Sequence, residues 1–577
     1  MRASGSRSIA PARIRSTPRA CALWSSRVSE VERLAGSVIV TGVPLATVDV
    51  ETLDALRALG PGGIVLFDRN ISTLEATRAF VDRVRDAAGG DVPALVCVDQ
   101  EGGRVARLRF REFGVPAMMA LGACDDAELA ERCGAALAAD VRGIGANVDF
   151  APVLDLALEP RSTVIGTRSL GDDSERVARL GAALVRGMQR GGVAATAKHF
   201  PGHGGTARDS HRDLPTIDAT ADVLRARDLR PFVRAIDAGV RAVMTAHVVV
   251  AGLDAALPAT LSARVLTQLL REELRFDGVC FTDCLQMDAI AAGIGSVRGG
   301  VAALAAGADG LLVSHELSVA RALRDEIVRA VAVGKIPFAR LEQAAWRMQT
   351  LRATLARAAE APAAGGAADD ETPLAIARAA VALVRGNPVL DPARPVTVVS
   401  FEGDGSDGVA AARNERPSLS AALRRRRYRS EVMRVAFEPD PDALALLIDV
   451  LRAQGDRALV IVARRAHLYE GQRAAIDALV GLAKHAIVVS ALEPFDVPAL
   501  ESASTLLCTF GDGEASIDAL ADVLAGERSA TGSFPVAIAS DPSRRMLTEA
   551  EIDARLPGRG KGRSLDAPGD DAEAGGA

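Results

Sequence analysis

Residues 198–211 read KHFPGHGGTARDSH and hold three of the chain's seven histidines and one of its four lysines. Pro201, Gly202, Gly204 and Gly205 keep this stretch from forming a helix, so His199 and His203 do not share a helical face as a zinc-binding pair would. The stretch reads as a long loop in which Asp209 and His211 lie two residues apart, on one side of an extended backbone. A carboxylate so placed fixes the tautomer of the imidazole and supports its positive charge, which is what a histidine general acid/base needs. Any one of these histidines, taken alone, is as readily a hydrogen-bonded structural residue. The density of polar side chains and glycine across the whole loop is what points to function, because a packed core needs neither.

A second candidate sits in FTDCL, residues 281–285, where Asp283 directly follows an apolar run. By itself it could cap the next helix. Opposite an acid/base histidine it becomes a candidate nucleophile, and glycosyl transfer to water needs that pair: a nucleophile on one face of the anomeric carbon and a proton donor towards the leaving oxygen. Cys284 reads as a packing residue, since no histidine lies near it in sequence. Asp99 and Glu101, beside Gly102, Gly103 and Arg104, suit recognition of sugar hydroxyls. Two other classes remain open on these residues: a metal-dependent hydrolase using His199, His203 and His211, and a non-catalytic sugar-binding protein.

The elements that must position these groups are short apolar, β-branched runs at 38–41, 63–67, 94–98, 146–150, 193–198, 242–247, 278–282 and 310–313. Stretches with apolar residues three and four apart, at 74–87, 174–190, 219–238 and 261–273, lie between most of them and predict helices. Eight strands with crossover helices predict an α/β fold, an N-terminal (β/α)8 TIM-type barrel, rather than a doubly wound open sheet. In a barrel, chemistry gathers where strands end. Asp99, Glu101, Asp155, Lys198, His199, His247, Asp283, Ser314 and His315 all follow or end one of these runs.

After the barrel, residues 358–372 read as a small-residue linker. A helical stretch at 373–384 and strands at 396–401, 458–463, 486–492 and 505–510 predict a smaller C-terminal α/β sandwich domain. The expected boundaries are a leader at 1–30, the barrel at 31–357, the second domain at 373–548 and a disordered tail at 549–577. The leader carries six arginines and no acid before Glu30, but no apolar stretch long enough for a secretory signal. The basic run at 424–429 reads as a solvated helix end.

The formal charge of −6 excludes a generally basic nucleic-acid binder. No apolar run approaches the roughly 18 residues that a membrane span needs, so no membrane partner is expected. Seven scattered cysteines do not make a disulfide framework, which favours a reducing, cytoplasmic setting. Aromatic residues are only 3%, too few for the stacking platforms of a long glycan cleft, and this favours a small substrate.

Taken together, VDQEGGRVARL (98–108), FAPVLDL (150–156), VIGTRSLG (164–171), the 198–211 loop, MTAHVVV (244–250), LPATLS (257–262) and FTDCLQM (281–287) resemble glycoside hydrolase family 3, in its bacterial β-N-acetylglucosaminidase branch. The likeness is dense over 38–355 and weaker over 510–538. It implies a retaining β-N-acetylglucosaminidase with Asp283 as nucleophile and His211 as general acid/base, held by Asp209. Asp99, Arg107, Arg168, Lys198 and His199 match positions that bind the sugar hydroxyls and N-acetyl group. It implies no metal and no cofactor, and a small GlcNAc-containing glycoside as partner, with muropeptide fragments of cell-wall recycling as the expected source. Cys284 and Gly205 stand where the family usually has acids. A phosphorylase, or a β-glucosidase or β-xylosidase taking its acid from the second domain (Glu470 or Glu493), remain the alternatives within the family. Oligomeric state is not set by the sequence.

Overall fold

A computed structural model describes residues 29–45, 47–209, 214–360, 371–403 and 417–538 of the chain. His211, nearly all of the expected leader, most of the linker and the tail lie outside the described residues.

All eight expected barrel strands are present: β1 (Ile39–Gly42), β2 (Gly63–Leu66), β3 (Leu95–Val98), β4 (Val148–Asp149), β5 (Ala194–Phe200), β6 (Ala242–Thr245), β7 (Val279–Phe281) and β8 (Leu311–Val313). They pair in parallel in the order β7-β6-β5-β4-β3-β2-β1-β8. A parallel bridge between Phe281 and Gly310 joins the two end strands and closes the barrel. Closure needs glycine there, since a Cβ on Gly310 would run into the Phe281 ring. Val40, Val65, Leu95, Phe150, Phe281 and Leu312 fill the interior, and Met348 and Leu351 of the helix Phe338–Glu360 join that cluster. The barrel is therefore a packed core, and only the ends of its strands are open to chemistry.

The outer helices follow the sequence pattern closely in places. Ser174–Arg190 is capped by Asp173 and buries Val177, Leu180, Leu184 and Met188, the three-and-four spacing of one helical face. The expected helix at 219–238 is instead two, Ala221–Ala226 and Arg230–Asp237, because Pro231 is tolerated only in a first turn and so starts a new helix. The segment Arg264–Glu273 is a π-helix, burying Val265, Leu266, Leu269 and Leu270.

The second domain is a six-stranded sheet of β9 (Ala382–Arg385), β10 (Val396–Glu402), β11 (Ser430–Ala436), β12 (Ala458–Ala463), β13 (Ala486–Ser490) and β14 (Thr505–Cys508). Its order is β9-β14-β13-β12-β10-β11, parallel throughout except for β9 against β14. The expected helix at 373–384 ends at Ala380, and its last residues form β9. The basic run does end the helix Leu419–Arg425, but it is not simply solvated. Arg425 and Arg426 donate to Asp518, and Arg426 also pairs with Asp522, along the helix Glu514–Leu524.

The two domains share a hydrophobic cluster. Met119 and Leu121, Leu137, and Leu180 and Leu184, from three barrel helices, pack with Ile376, Phe401, Ile461 and Phe510 of the second domain. Among the described residues no helix is long and apolar enough to cross a membrane. The six cysteines described are all free, and five of them are buried.

Candidate active site

The ends of β2, β3, β5, β7 and β8 surround a cavity of about 260 Å³, large enough for one sugar ring. Phe67, Phe150, Val164, Met244 and Leu312 supply apolar wall, while Asp99, Glu101, Arg107, Arg168, Lys198, His199 and Asp283 supply polar groups. Six of the eight residues that the sequence singled out thus face one space. Asp209 lies at the end of the described part of the 198–211 loop and does not line the cavity.

Glu101 organises one side. It leaves β3 on a short hairpin that is held by Gln100, whose backbone N–H donates to Asp149 Oδ1 at 2.9 Å and whose side chain exchanges hydrogen bonds with the backbone of Leu108. The Glu101 carboxylate accepts a bidentate pair from Arg168, at 2.7 and 2.8 Å, and lies 2.6 Å from Lys198 Nζ. Lys198 reaches Asp99 as well, at 2.7 Å. Two cations and two anions balance, which is the condition for holding charge away from water. Burial opposes ionisation of Glu101, but Arg168 and Lys198 outweigh it and hold the carboxyl below its ordinary range. Burial works against Lys198 too, and its two carboxylates keep it protonated. Asp149, buried beneath them, is pushed well above its ordinary value by burial. Asp99 is the most open of the four paired groups, so it is the one most available to a ligand.

The second cluster is built on Asp155, which the sequence placed at a strand end without a role. It is fully buried, and it accepts the backbone N–H of His203 at 2.6 Å and the Nδ1–H of His199 at 2.6 Å. That bond fixes the tautomer of His199 and leaves Nε2, which lies 3.5 Å from an Arg168 amine, as the atom towards the cavity. Burial pushes the Asp155 carboxyl up, yet His199 and the hydrogen bonds bring it below its ordinary value. His203 is lowered to about 4, chiefly by burial, and is neutral at neutral pH. No sequence spacing announces this pair, because Asp155 and His199 meet only through the adjacency of β4 and β5.

Asp155, Glu101 and His203 pull stability one way with pH, and Asp149, raised by burial, pulls the other. Asp155 and Glu101 have depressed folded values, so their stabilisation is complete above their unfolded values and is lost as pH falls through the folded ones. His203 is depressed from 6.5 to about 4, so the unfolded chain takes up its proton first and stability falls with pH across that window. Between about pH 4 and pH 6.5 the effects of Asp149 and His203 oppose each other, so the urea midpoint is expected to fall steeply only below about pH 4, where Asp155 and Glu101 lose their stabilisation. A midpoint that stays level from neutral pH down to about pH 3 contradicts this assignment of protons.

Asp283 stands across the cavity at the end of β7. Its Oδ1 accepts the backbone N–H of Cys284 at 2.7 Å, which orients the carboxylate. The Cys284 thiol also lines the cavity, and burial pushes its pKa up, so it is a neutral packing group there. His247 is not on the rim with the other strand-end residues. It lies fully buried behind Cys284, with Nδ1 2.7 Å from Thr260 Oγ1 and Nε2 2.9 Å from the Cys284 carbonyl, and so supports the turn that carries Asp283. At the mouth, Arg107 pairs with Asp68 at 2.7 Å and the ring of His315 packs on Phe67.

Among the described residues no cluster of three or more His, Cys, Asp or Glu side chains is arranged to hold a metal ion. Glu470 opens a helix of the second domain, and Glu493 is buried behind the cavity wall; neither lines the cavity.

The model of the glycosyl hydrolase family 3 N-terminal domain matches residues 34–351, more than half of the chain. A β-hexosaminidase of Pseudomonas aeruginosa (strain LESB58) is 43% identical over 276 residues, covering 47% of this chain and 81% of that one. Among solved structures, a glycoside hydrolase family 3 β-N-acetylglucosaminidase from Paenibacillus sp. str. FPU-7 is 36% identical. Its match covers 88% of this chain and 98% of that one, with a TM-score of 0.81. A β-glucoside phosphorylase shares the fold at 20% identity and a TM-score of 0.71. With the barrel, its second domain and these matches together, the chain belongs to glycosyl hydrolase family 3 and is a glycoside hydrolase.

Proposed function

We propose that the chain is a retaining β-N-acetylhexosaminidase that removes terminal non-reducing GlcNAc from small glycosides, with muropeptide fragments in the cytoplasm as its natural source. The observation that carries this reading is a one-sugar cavity with Asp283 on one side and the Asp99, Glu101, Lys198 and Arg168 cluster on the other. In the first step, a carboxylate oxygen of Asp283 attacks the anomeric carbon while His211 gives its proton to the leaving oxygen, forming a glycosyl ester. In the second, His211 takes a proton from water as that water attacks the same carbon, and Asp283 is released. Asp209 holds the imidazole of His211 and supports its positive charge before the first step and after the second. Lys198 and Asp99 bind ring hydroxyls, and Arg107, Arg168 and His199 complete the grip on the sugar and its N-acetyl group.

An imidazole acid/base repels an anion near the leaving oxygen less than a carboxylate would. Acidic aglycones, or phosphate as the acceptor, are therefore compatible with it. The test compares wild type and His211→Ala on a GlcNAc disaccharide and on para-nitrophenyl β-N-acetylglucosaminide. Loss of the acid is expected to slow the disaccharide by about 10²–10⁴-fold and the nitrophenyl glycoside far less, because nitrophenolate leaves without a proton. Equal losses on both would remove His211 from the acid's role. GlcNAc-1-phosphate appearing when phosphate is added would make the enzyme a phosphorylase, and preference for glucosides or xylosides would change the sugar.

A further inference from the structure

The second domain puts no side chain into the cavity among the described residues, yet one of its carboxylates stands directly behind the cavity wall. That wall is the 163–168 segment, of which Val164 and Arg168 line the cavity. From the barrel side the segment is held by Arg104, which donates to the carbonyls of Thr163 and Val164, and by Arg168 itself, which donates to Val164 O at 3.0 Å. From the other side, Glu493 is 2% exposed and its Oε1 lies against Gly166, so that a Cβ added there would run into it. Gly166 has φ +43°, where a side chain is disfavoured, and the chain turns there into the single 3-10 turn Gly166–Arg168.

Glu493 has one oxygen 3.4 Å from Arg465 Nε, and its other has no hydrogen-bond partner among the described residues. Burial favours its neutral form, but the charges of Arg465 and Arg104 hold it below the ordinary carboxylate range. A few residues upstream, Pro160 O accepts from His467 Nε2 at 3.0 Å, and His467 Nδ1 is 2.6 Å from Asp496. The C-terminal ends of β12 and β13 therefore hold the outer side of this loop at two points.

We propose that Glu493 is a positioning residue for the sugar site: it seats the turn at Gly166 and so fixes where the Arg168 guanidinium is delivered. The inference rests on the reading of Arg168 as a sugar-binding residue. Removing the carboxylate opens a gap behind Gly166 and leaves Arg104 and Arg465 without their shared counter-charge, so the turn can shift by the fraction of an ångström that matters to a bidentate contact.

The test is steady-state hydrolysis of para-nitrophenyl β-N-acetylglucosaminide by the full chain carrying Arg168→Ala, Glu493→Ala, Glu493→Gln, the double alanine variant, or Ser533→Ala. Ser533 also crosses the domain interface, donating to Ala123 O at 3.0 Å, and serves as the control for general loosening. Arg168→Ala is expected to raise KM about tenfold or more, and Glu493→Ala about fivefold with kcat changed less than about twofold. The double variant is expected to be no worse than Arg168→Ala, because the two changes damage one contact. Glu493→Gln keeps the volume and is expected to recover part of the KM, while Ser533→Ala matches wild type. A Glu493→Ala enzyme that folds and keeps the wild-type KM overturns the proposal, as does additivity in the double variant. An Arg168→Ala enzyme with wild-type KM overturns the sugar-binding reading beneath it.

Discussion

Asp283→Asn is expected to abolish turnover while leaving the fold intact. Asparagine has the same shape and its oxygen can still accept the Cys284 N–H, so the turn at the end of β7 keeps that restraint. What is lost is the proposed nucleophile, since an amide oxygen does not form the ester on which the second step depends. A fall in kcat on the order of 10⁴-fold or more is expected, the scale on which removal of a covalent nucleophile is felt. Thermal unfolding should superimpose on wild type. With a glycoside that reacts quickly and turns over slowly, mass spectrometry should find the sugar on the wild-type peptide containing Asp283 and none on the variant. Residual activity above about a hundredth of wild type would place the nucleophile elsewhere on the rim.

The second large effect is one of charge. Glu101→Ala leaves Arg168 and Lys198 buried with only Asp99 between them, and removing one partner from a buried ion cluster typically costs about 3–5 kcal/mol. Much of that is the penalty of an unpaired buried cation rather than the worth of the bonds lost. Replacing Arg168 by Met as well should therefore restore part of the stability without restoring sugar binding, and the two properties separate. Urea unfolding measures the first and KM the second. A Glu101→Ala enzyme within about 1 kcal/mol of wild type would mean that water reaches this cluster and screens it.

The barrel was legible because each of its strands is a run of β-branched and apolar residues buried on both faces, and such runs stand out against the Ala, Leu and Arg of the helices. The ends of those runs then pointed at Asp99, Lys198, His199 and Asp283. The failures have physical causes. β11, SEVMRVA, is an edge strand whose charged and half-exposed residues hide its period, and β9 is a short antiparallel edge that reads as the continuation of a helix. Asp155 beneath His199, His247 beneath Cys284, and Glu493 behind Gly166 depend on which strands and domains become neighbours. Local spacing carries no record of that.

The hydrophobic cluster that runs from the barrel helices into the second domain has a consequence for how such a protein changes over generations. A catalytic barrel with its own closed core could lose or exchange its companion and remain soluble. Here a cut at the linker would expose apolar surface along that seam, and both fragments would tend to aggregate. Substitutions on either side of that seam are therefore judged together, and a lineage that discarded the second domain would first have to redecorate the barrel's outer helices with polar residues.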